Sequence, residues 1–174
     1  METSRKIWTC RYLSPCGELT LGSFGDRLCL CDWAGTKHPE RVDRRLQRLL
    51  QARYAEGATD ITQEAARQLD EYFHAGRTSF TVPLLFAGTA FQQAAWNCLL
   101  GIPYGQTCSY IEQARQLGRP TAVRAVANAN GANALSIFVP CHRVVGADRL
   151  LTGYAGGLEA KQFLLDLESG LHGR

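Results

Sequence analysis

The chain has 174 residues, of which 45% are hydrophobic and 20% charged, and its formal net charge is +3. This is the composition of a globular protein with a buried core, in one domain or two small ones. The slight positive charge allows nucleic acid as a partner without requiring it. No apolar run approaches the roughly 18 residues of a membrane span.

The seven cysteines are an odd number in no dense framework, and no apolar signal peptide precedes them. We therefore expect free thiols in an intracellular protein that is not secreted and does not bind membranes. The expected location is the cytoplasm in a prokaryote and the nucleus in a eukaryote.

Three short segments near the amino terminus have the β-prone or alternating pattern of strands, namely Ile7–Leu13, Glu18–Phe24 and Arg27–Trp33. Gly25-Asp26 fits a tight hairpin turn between the last two. The pattern predicts a small antiparallel sheet.

Two helices are predicted to follow this sheet. Apolar residues recur at helical spacing from Val42 to Tyr54, and again from about Thr62, the predicted cap, to His74. The apolar segment Phe80–Phe86 either joins the sheet or links two lobes. We place the domain boundary so that residues 1–87 form an amino-terminal lobe and residues 88–174 a carboxy-terminal domain.

Four cysteines of this lobe raise the question of a zinc site: Cys10, Cys16, Cys29 and Cys31. His38 or His74 could complete it. However, no Cys-x-x-Cys pair is present, and small cysteines are common in the core of a sheet. We therefore predict core cysteines and no metal.

The second half of the chain has the pattern of short helices rich in small residues. Thr89 is predicted to cap a helix that ends at Leu100, Ser109 a helix over Tyr110–Leu117, and Thr121 a helix over Ala122–Asn128. The last two, joined by Gly118-Arg119-Pro120, match a helix-turn-helix. Two helices packed without DNA binding are the alternative.

An apolar strand is predicted at Ile137–Val139, where Pro140 ends it. Directly after it come Cys141, His142 and Arg143. A thiol beside these two basic side chains should have a pKa below its usual value of about 8.5, which favours the nucleophilic thiolate. The alternative is a buried and unreactive cysteine.

The order of motifs from residue 88 to residue 170 resembles the O6-alkylguanine–DNA alkyltransferases. It consists of an Arg-Ala-Val helix, Asn133, Pro-Cys-His-Arg-Val at 140–144 and Tyr-x-Gly-Gly at 154–157. The amino-terminal half resembles this family only loosely. The fold expected is α+β, a small amino-terminal antiparallel sheet with helices followed by a mostly helical domain that carries the helix-turn-helix and the Pro-Cys-His-Arg loop.

The resemblance implies a repair protein for double-stranded DNA that contains alkylated bases. It implies that Cys141 accepts the alkyl group, that His142, bonded through a water molecule to Glu168, activates the thiol, and that Asn133 braces the active-site turn. Arg124 would replace the flipped nucleotide in the base stack. The other implied site residues are Tyr110 at the base and phosphate, the small DNA-facing residues Ala122, Ala125 and Ala127, and the pocket residues Val144, Tyr154 and Ala155.

The implied reaction is an irreversible in-line transfer from O6-alkylguanine, with O4-alkylthymine left open, once per molecule and without a cofactor. A monomer is expected in solution, and cooperative binding along DNA is left open. A lesion-binding protein without catalysis and a cysteine hydrolase are the alternatives. Two departures from the family pattern affect the active-site loops: Ala134 stands where a proline is common, and Arg149 where a glycine is common.

Overall fold

The computed structural model describes residues 5–36, 39–148 and 150–170. The chain forms two compact units, which meet in the sequence between Gly88 and Thr89. The first combines a sheet with two helices, and the second consists mainly of helices, so the predicted α+β class is confirmed. Arg149 and His38 lie outside the described residues.

The first unit is built on a four-stranded sheet with the order β3-β2-β1-β4. The strands are β1 (Lys6–Ser14), β2 (Gly17–Phe24), β3 (Arg27–Trp33) and β4 (Arg53–Glu56). The first three are antiparallel and confirm the predicted strands. The fourth was missed and lies parallel to β1, so the sheet is mixed rather than antiparallel.

Two helices accompany this sheet. Helix α1 (Pro39–Leu50) ends before Gln51, whose φ of 49° reverses the chain, so Tyr54 lies on β4 and not on the predicted helix. Helix α2 (Asp60–His74) begins earlier than predicted because Thr59 is its cap. Thr62 instead completes a capping box, since its side chain accepts from the Thr59 backbone N–H.

The segment 80–86 runs beside β3 without forming a strand. Leu28 donates its N–H to the Pro83 carbonyl and accepts from the Leu85 N–H, which gives a single bridge at Leu84. Pro83 lacks an N–H and cannot extend the ladder. The prediction that this segment joins the sheet is therefore met by one bridge only.

The described part of the second unit contains four α-helices: α3 (Ala90–Leu100), α4 (Tyr110–Gln116), α5 (Val123–Gly131) and α6 (Leu158–Ser169). Thr89 and Ser109 cap α3 and α4 as predicted. Thr121 does not cap α5, because the cap residue is Ala122 and no side chain bonds there. Leu100, the last residue of α3, is exposed.

The predicted apolar strand at 137–139 is a tight turn. Ile137 has a φ of 73°, and the Phe138 N–H donates to the Ser136 carbonyl across it. A short 3-10 helix follows over Cys141–Arg143, then strand β6 (Val144–Val145), which pairs in parallel with β5 (Cys108–Ser109). A turn of three residues is too short to show a hydrophobic period. The apolar run Ile137–Val139 was therefore interpreted as a strand.

No helix within the described ranges is both long and apolar enough to cross a bilayer. All seven cysteines carry free thiols. Over residues 5–36, 39–148 and 150–170, no three His, Cys, Asp or Glu side chains are grouped so that they could hold a metal ion.

Candidate active site

Cys141 opens the 3-10 helix and lies on the wall of a cavity of about 360 Å³ in the second unit. Its side chain is mostly buried, with 9% of the residue exposed. The thiol is therefore sheltered from bulk water and still borders a space that can admit a ligand. The cavity is lined by Tyr110, Ala127, Asn130, Gly131, Asn133, Ser136, Cys141, Thr152, Gly153, Tyr154 and Ala155.

Asn133 connects the end of α5 to Cys141. Its Nδ2 donates to the Val139 carbonyl at 2.9 Å and to Cys141 Sγ at 3.3 Å, while its Oδ1 accepts from the Leu135 N–H at 2.9 Å. A donor pointing at sulfur stabilises the thiolate over the thiol. These bonds form without a proline at position 134, because the side chain of Asn133 itself closes the turn.

His142, the next residue, is completely buried and points at Glu168 on α6. Its Nε2 lies 2.7 Å from Glu168 Oε2. The contact is direct, which corrects the expectation of a water between them. Burial lowers the pKa of His142, so the ring is neutral at pH 7.

The remaining ring nitrogen of His142 is free to accept a proton. With Nε2–H donated to the Glu168 carboxylate, the lone pair lies on Nδ1. Nδ1 has no hydrogen-bond partner within the described parts of the chain. A neutral imidazole held in this tautomer has the form that a general base requires.

Arg143 completes a buried ion cluster with the same carboxylate. Its Nε and Nη2 lie 2.7 and 3.1 Å from the two oxygens of Glu168, and its Nη1 donates to the Ile102 carbonyl at 2.6 Å. Burial alone would raise the pKa of Glu168, but the bonds from His142 and Arg143 lower it to about 2. Glu168 is therefore ionised at neutral pH.

Lys161 is a buried cation that the sequence analysis missed. Its Nζ donates to the Thr152 carbonyl at 2.8 Å, and the Thr152 hydroxyl donates to Tyr110 Oη at 3.1 Å. Burial lowers the pKa of Lys161, and the negative charge of an ionised Cys141 opposes that shift. The seven-residue spacing of Lys161 and Glu168, with buried Leu164 between them, was the available signal, since it places all three on one helix face.

The bond from Lys161 to the Thr152 carbonyl anchors the segment 152–155, which lines the cavity. Tyr110, Tyr154 and Ala155 line the cavity, where the resemblance implied a base pocket. Val144, whose backbone the resemblance places at this pocket, is not among the lining residues. Its backbone pairs with Cys108 in the two-stranded sheet, and its side chain is buried.

The helix-turn-helix consists of α4 and α5. Arg124 and Ala125 on α5 are exposed, and Ala122 and Ala127 are half-buried. This surface consists of small side chains together with one charged side chain, that of Arg124. It suits close approach to a backbone or groove better than hydrogen bonding to base edges.

A pair of buried amides, Gln113 on α4 and Asn130 on α5, fixes the two helices together. Each donates to the other, at 3.0 and 2.8 Å. Trp96 on α3 also donates to the Ala129 carbonyl at 2.8 Å. Asn130 also lines the cavity, so the bonds that join α4 to α5 also fix this part of the cavity wall. Sequence reasoning missed this pair, since a buried amide has no periodic signature.

Comparison with known proteins agrees with this geometry. The family model for the 6-O-methylguanine DNA methyltransferase DNA-binding domain matches residues 90–170. A protein of Methanosarcina acetivorans named methylated-DNA–protein-cysteine methyltransferase is 54% identical over 109 residues, which cover 63% of this chain and 70% of that protein. One of the same name from Mycobacterium bovis is 44% identical over 161 residues, 89% of this chain and 88% of that protein.

Similarity to solved structures extends over both units. The crystal structure of Mycobacterium tuberculosis OGT in complex with DNA matches with a TM-score of 0.78 and 41% identity, covering 95% of this chain and 93% of that one. The M. tuberculosis O6-methylguanine methyltransferase structure matches with a TM-score of 0.77 and 43% identity, at 95% and 93% coverage. This chain therefore belongs to the family of methylated-DNA–protein-cysteine methyltransferases.

Proposed function

We propose that this protein repairs DNA by moving the alkyl group of O6-alkylguanine to its own Cys141, once per molecule. The observation that carries the proposal is the placement of Cys141 Sγ. It borders a cavity, accepts a hydrogen bond from Asn133, and is followed by the buried pair of His142 and Glu168. A sheltered, stabilised thiolate beside a cavity is what attack on a carbon atom requires.

The damaged base must leave the helix before the sulfur can reach it. An alkylated O6 atom lies within the duplex stack, and unstacking a base costs a few kcal/mol. Exposed Arg124 on α5 occupies the space that the base leaves, and the small residues Ala122, Ala125 and Ala127 let the helix approach the DNA closely. Ala127 also lines the cavity, so this helix leads directly to the proposed base pocket.

The nucleophile is activated by proton transfer. His142 Nδ1 accepts the proton of the Cys141 thiol through a bridging water, while Glu168 holds the Nε2–H and stabilises the imidazolium that forms. Arg143 keeps Glu168 ionised and in place. Cys141 is then a thiolate while the alkylated base is bound in the cavity.

The transfer itself is an in-line displacement. A carbon–sulfur bond forms at Cys141 as the carbon–oxygen bond to guanine breaks, and the electron pair of that bond stays on the base. Tyr110 accepts a hydrogen bond from Thr152, so its own O–H remains available to donate to the departing guanine. The thioether product is stable, so the protein is consumed.

All groups of this mechanism come from one chain, and we propose that the protein acts as a monomer in the compartment that holds the DNA. The residues described here need no metal or organic cofactor for the displacement. O4-alkylthymine is a second substrate of the same chemistry, because it also presents an alkyl carbon on a ring oxygen.

Counting turnovers tests the proposal. A duplex with a labelled methyl group on O6 of guanine, supplied in several-fold excess, should lose label until the amount transferred equals the amount of protein, and Cys141→Ala should transfer none. Binding without any loss of label would favour a lesion-binding protein. Continued turnover beyond one equivalent, or release of the label into solution, would contradict self-alkylation and favour a hydrolase.

A further inference from the structure

Ser136, a residue of the cavity wall, carries a buried hydroxyl with no assigned role. The residue is 1% exposed and lines the same cavity as Cys141. Its Oγ has no hydrogen-bond partner among residues 5–36, 39–148 and 150–170. A buried hydroxyl without a partner is unfavourable in the free protein, so this group is suited to a partner that enters from outside.

The neighbouring amides on this wall are in a different situation. Asn133 bonds to Val139, Leu135 and Cys141, and Asn130 is paired with Gln113. Their polar atoms are engaged with the protein. Ser136 thus provides a hydroxyl that can both donate and accept without breaking a protein bond.

A strained turn holds the backbone that carries this hydroxyl. The Phe138 N–H bonds to the Ser136 carbonyl at 2.9 Å, and between them Ile137 has a φ of 73°. This three-residue turn is rare, and a β-branched residue at positive φ is disfavoured. Strain of this kind persists where the surrounding structure enforces it, often next to a functional site. Leu135 and Val139, on either side, are also bonded together through their backbones.

We propose that the Ser136 hydroxyl is a substrate-binding group that hydrogen-bonds to the polar edge of the purine held in the cavity. This inference rests on the proposed function. A purine edge carries ring nitrogens and exocyclic groups that accept or donate hydrogen bonds, whereas a methyl or simple alkyl substituent does neither. Ser136 therefore contributes to recognition of the base rather than of the group transferred.

The test compares Ser136→Ala with wild type on free O6-benzylguanine, which needs no base flipping. The rate of Cys141 alkylation is followed against concentration. Loss of one hydrogen bond should raise the half-saturating concentration about tenfold and leave the maximal rate within about twofold, since the bond serves binding throughout. The melting temperature should stay the same or rise, because the hydroxyl has no bond to lose within the described part of the chain.

Two controls separate binding from structure. Ser169→Ala removes a hydroxyl at the end of α6 and should leave the half-saturating concentration unchanged. Alkylation of Cys141 by iodoacetamide should be equally fast in wild type and Ser136→Ala, because the nucleophile keeps its contacts. An unchanged half-saturating concentration, a lower melting temperature, or a parallel loss of iodoacetamide reactivity would each overturn the inference. Wild type that transfers no alkyl group from alkylated duplex would instead refute the proposed function.

Discussion

Two buried cysteines, Cys31 in the first unit and Cys141 in the second, show how differently one fold can treat the same side chain. Cys31 lies on β3 with no exposed surface, and burial, with the charge of Asp32, raises its pKa well above the usual value. Its neighbour on the strand, Cys29, has a pKa raised by burial to about 12. Both thiols stay protonated and unreactive at neutral pH.

Cys141 is nearly as buried, but its surroundings are polar and organised. Asn133 donates to its sulfur, a neutral His142 follows it, and a cavity lies beside it. The comparison teaches that burial alone protects a thiol, whereas burial together with a donor, a base and an opening makes a nucleophile.

Replacing Cys31 and Cys141 one at a time tests the difference in reactivity between them. The largest effect is expected at Cys141. Cys141→Ala should abolish alkyl transfer, because no other thiol borders the cavity wall described here. Affinity for undamaged duplex should change by less than about threefold, since the thiol is not proposed to bind phosphate. Transfer is measured with labelled oligonucleotide and affinity by fluorescence anisotropy. Residual transfer in this variant would show that another cysteine reacts.

The next largest effect is expected when the carboxylate of Glu168 is replaced. Glu168→Gln should slow transfer by about 100-fold or more, because a neutral amide no longer stabilises the imidazolium. It also leaves Arg143 buried without its anion, which should lower the free energy of unfolding by about 3 kcal/mol. Single-turnover kinetics and chemical denaturation measure the two. Glu159→Gln, an exposed change on the same helix, is the control and should be silent in both.

A variant of Arg124 on α5 distinguishes the flipping of the base from the transfer of the alkyl group. Arg124→Ala should slow transfer from duplex by about 10- to 100-fold, because the opened stack is no longer filled. Transfer from free O6-benzylguanine should change by less than about twofold. Arg115→Ala removes one exposed charge from α4 and should weaken duplex binding only a few-fold. Equal losses on duplex and free base in Arg124→Ala would contradict its role in flipping.

Acid should destabilise the second unit through the same cluster. The pKa of Glu168 is about 2 in the folded protein against an ordinary 4.5, so its stabilisation is complete above pH 4.5 and is lost as the pH falls toward 2. The difference corresponds to about 3 kcal/mol. The pKa of His142 is also lowered, so loss of stability begins as the pH falls through 6.5, where the unfolded chain takes up a proton first.

Denaturation at a series of pH values measures this dependence. The free energy of unfolding of wild type should fall between pH 6.5 and pH 2, and that of Glu168→Gln should fall less steeply. Equal slopes for the two proteins would show that the carboxylate is not responsible.

The smallest effect is expected at the unreactive thiol. Cys31→Ala should lower the free energy of unfolding by about 1–2 kcal/mol, as lost packing in the core does. The rate of alkyl transfer should remain within about twofold of wild type. A large loss of transfer would mean that the two cysteines differ less than their surroundings indicate.

The sequence predicted what depends on periodicity and local motif. The segments of strands β1 to β3 have an alternating or β-prone residue pattern and are separated by turn residues, so they were predicted correctly. Thr89 and Ser109 are of the residue types that commonly cap helices, and both caps were predicted correctly. Cys141 was singled out from the basic residues that follow it, and the pair of His142 and Glu168 was named from the resemblance. The structure brings His142 and Glu168 into contact. The direct contact of His142 with Glu168 could not be predicted, because packing decides whether a water fits between two groups.

Tertiary constraint explains what was missed. Ile137 is β-branched and lies in an apolar run, so local preference favours a strand, but the surrounding bonds hold it at positive φ. Strand β4 is four residues long and exists because β1 offers it a partner. Lys161 was not recognised because a charged residue on a helix normally faces water, whereas here it is buried and donates to the Thr152 carbonyl.

The most direct test of the central claim is to locate the transferred carbon. After incubation with duplex DNA containing O6-methylguanine, the protein is digested and its cysteine peptides are analysed by mass spectrometry. We expect one methyl group, on the peptide that contains Cys141, and none on the six other cysteines. A methyl group on Cys31 or any other thiol, or an unmodified Cys141 beside repaired DNA, would contradict it.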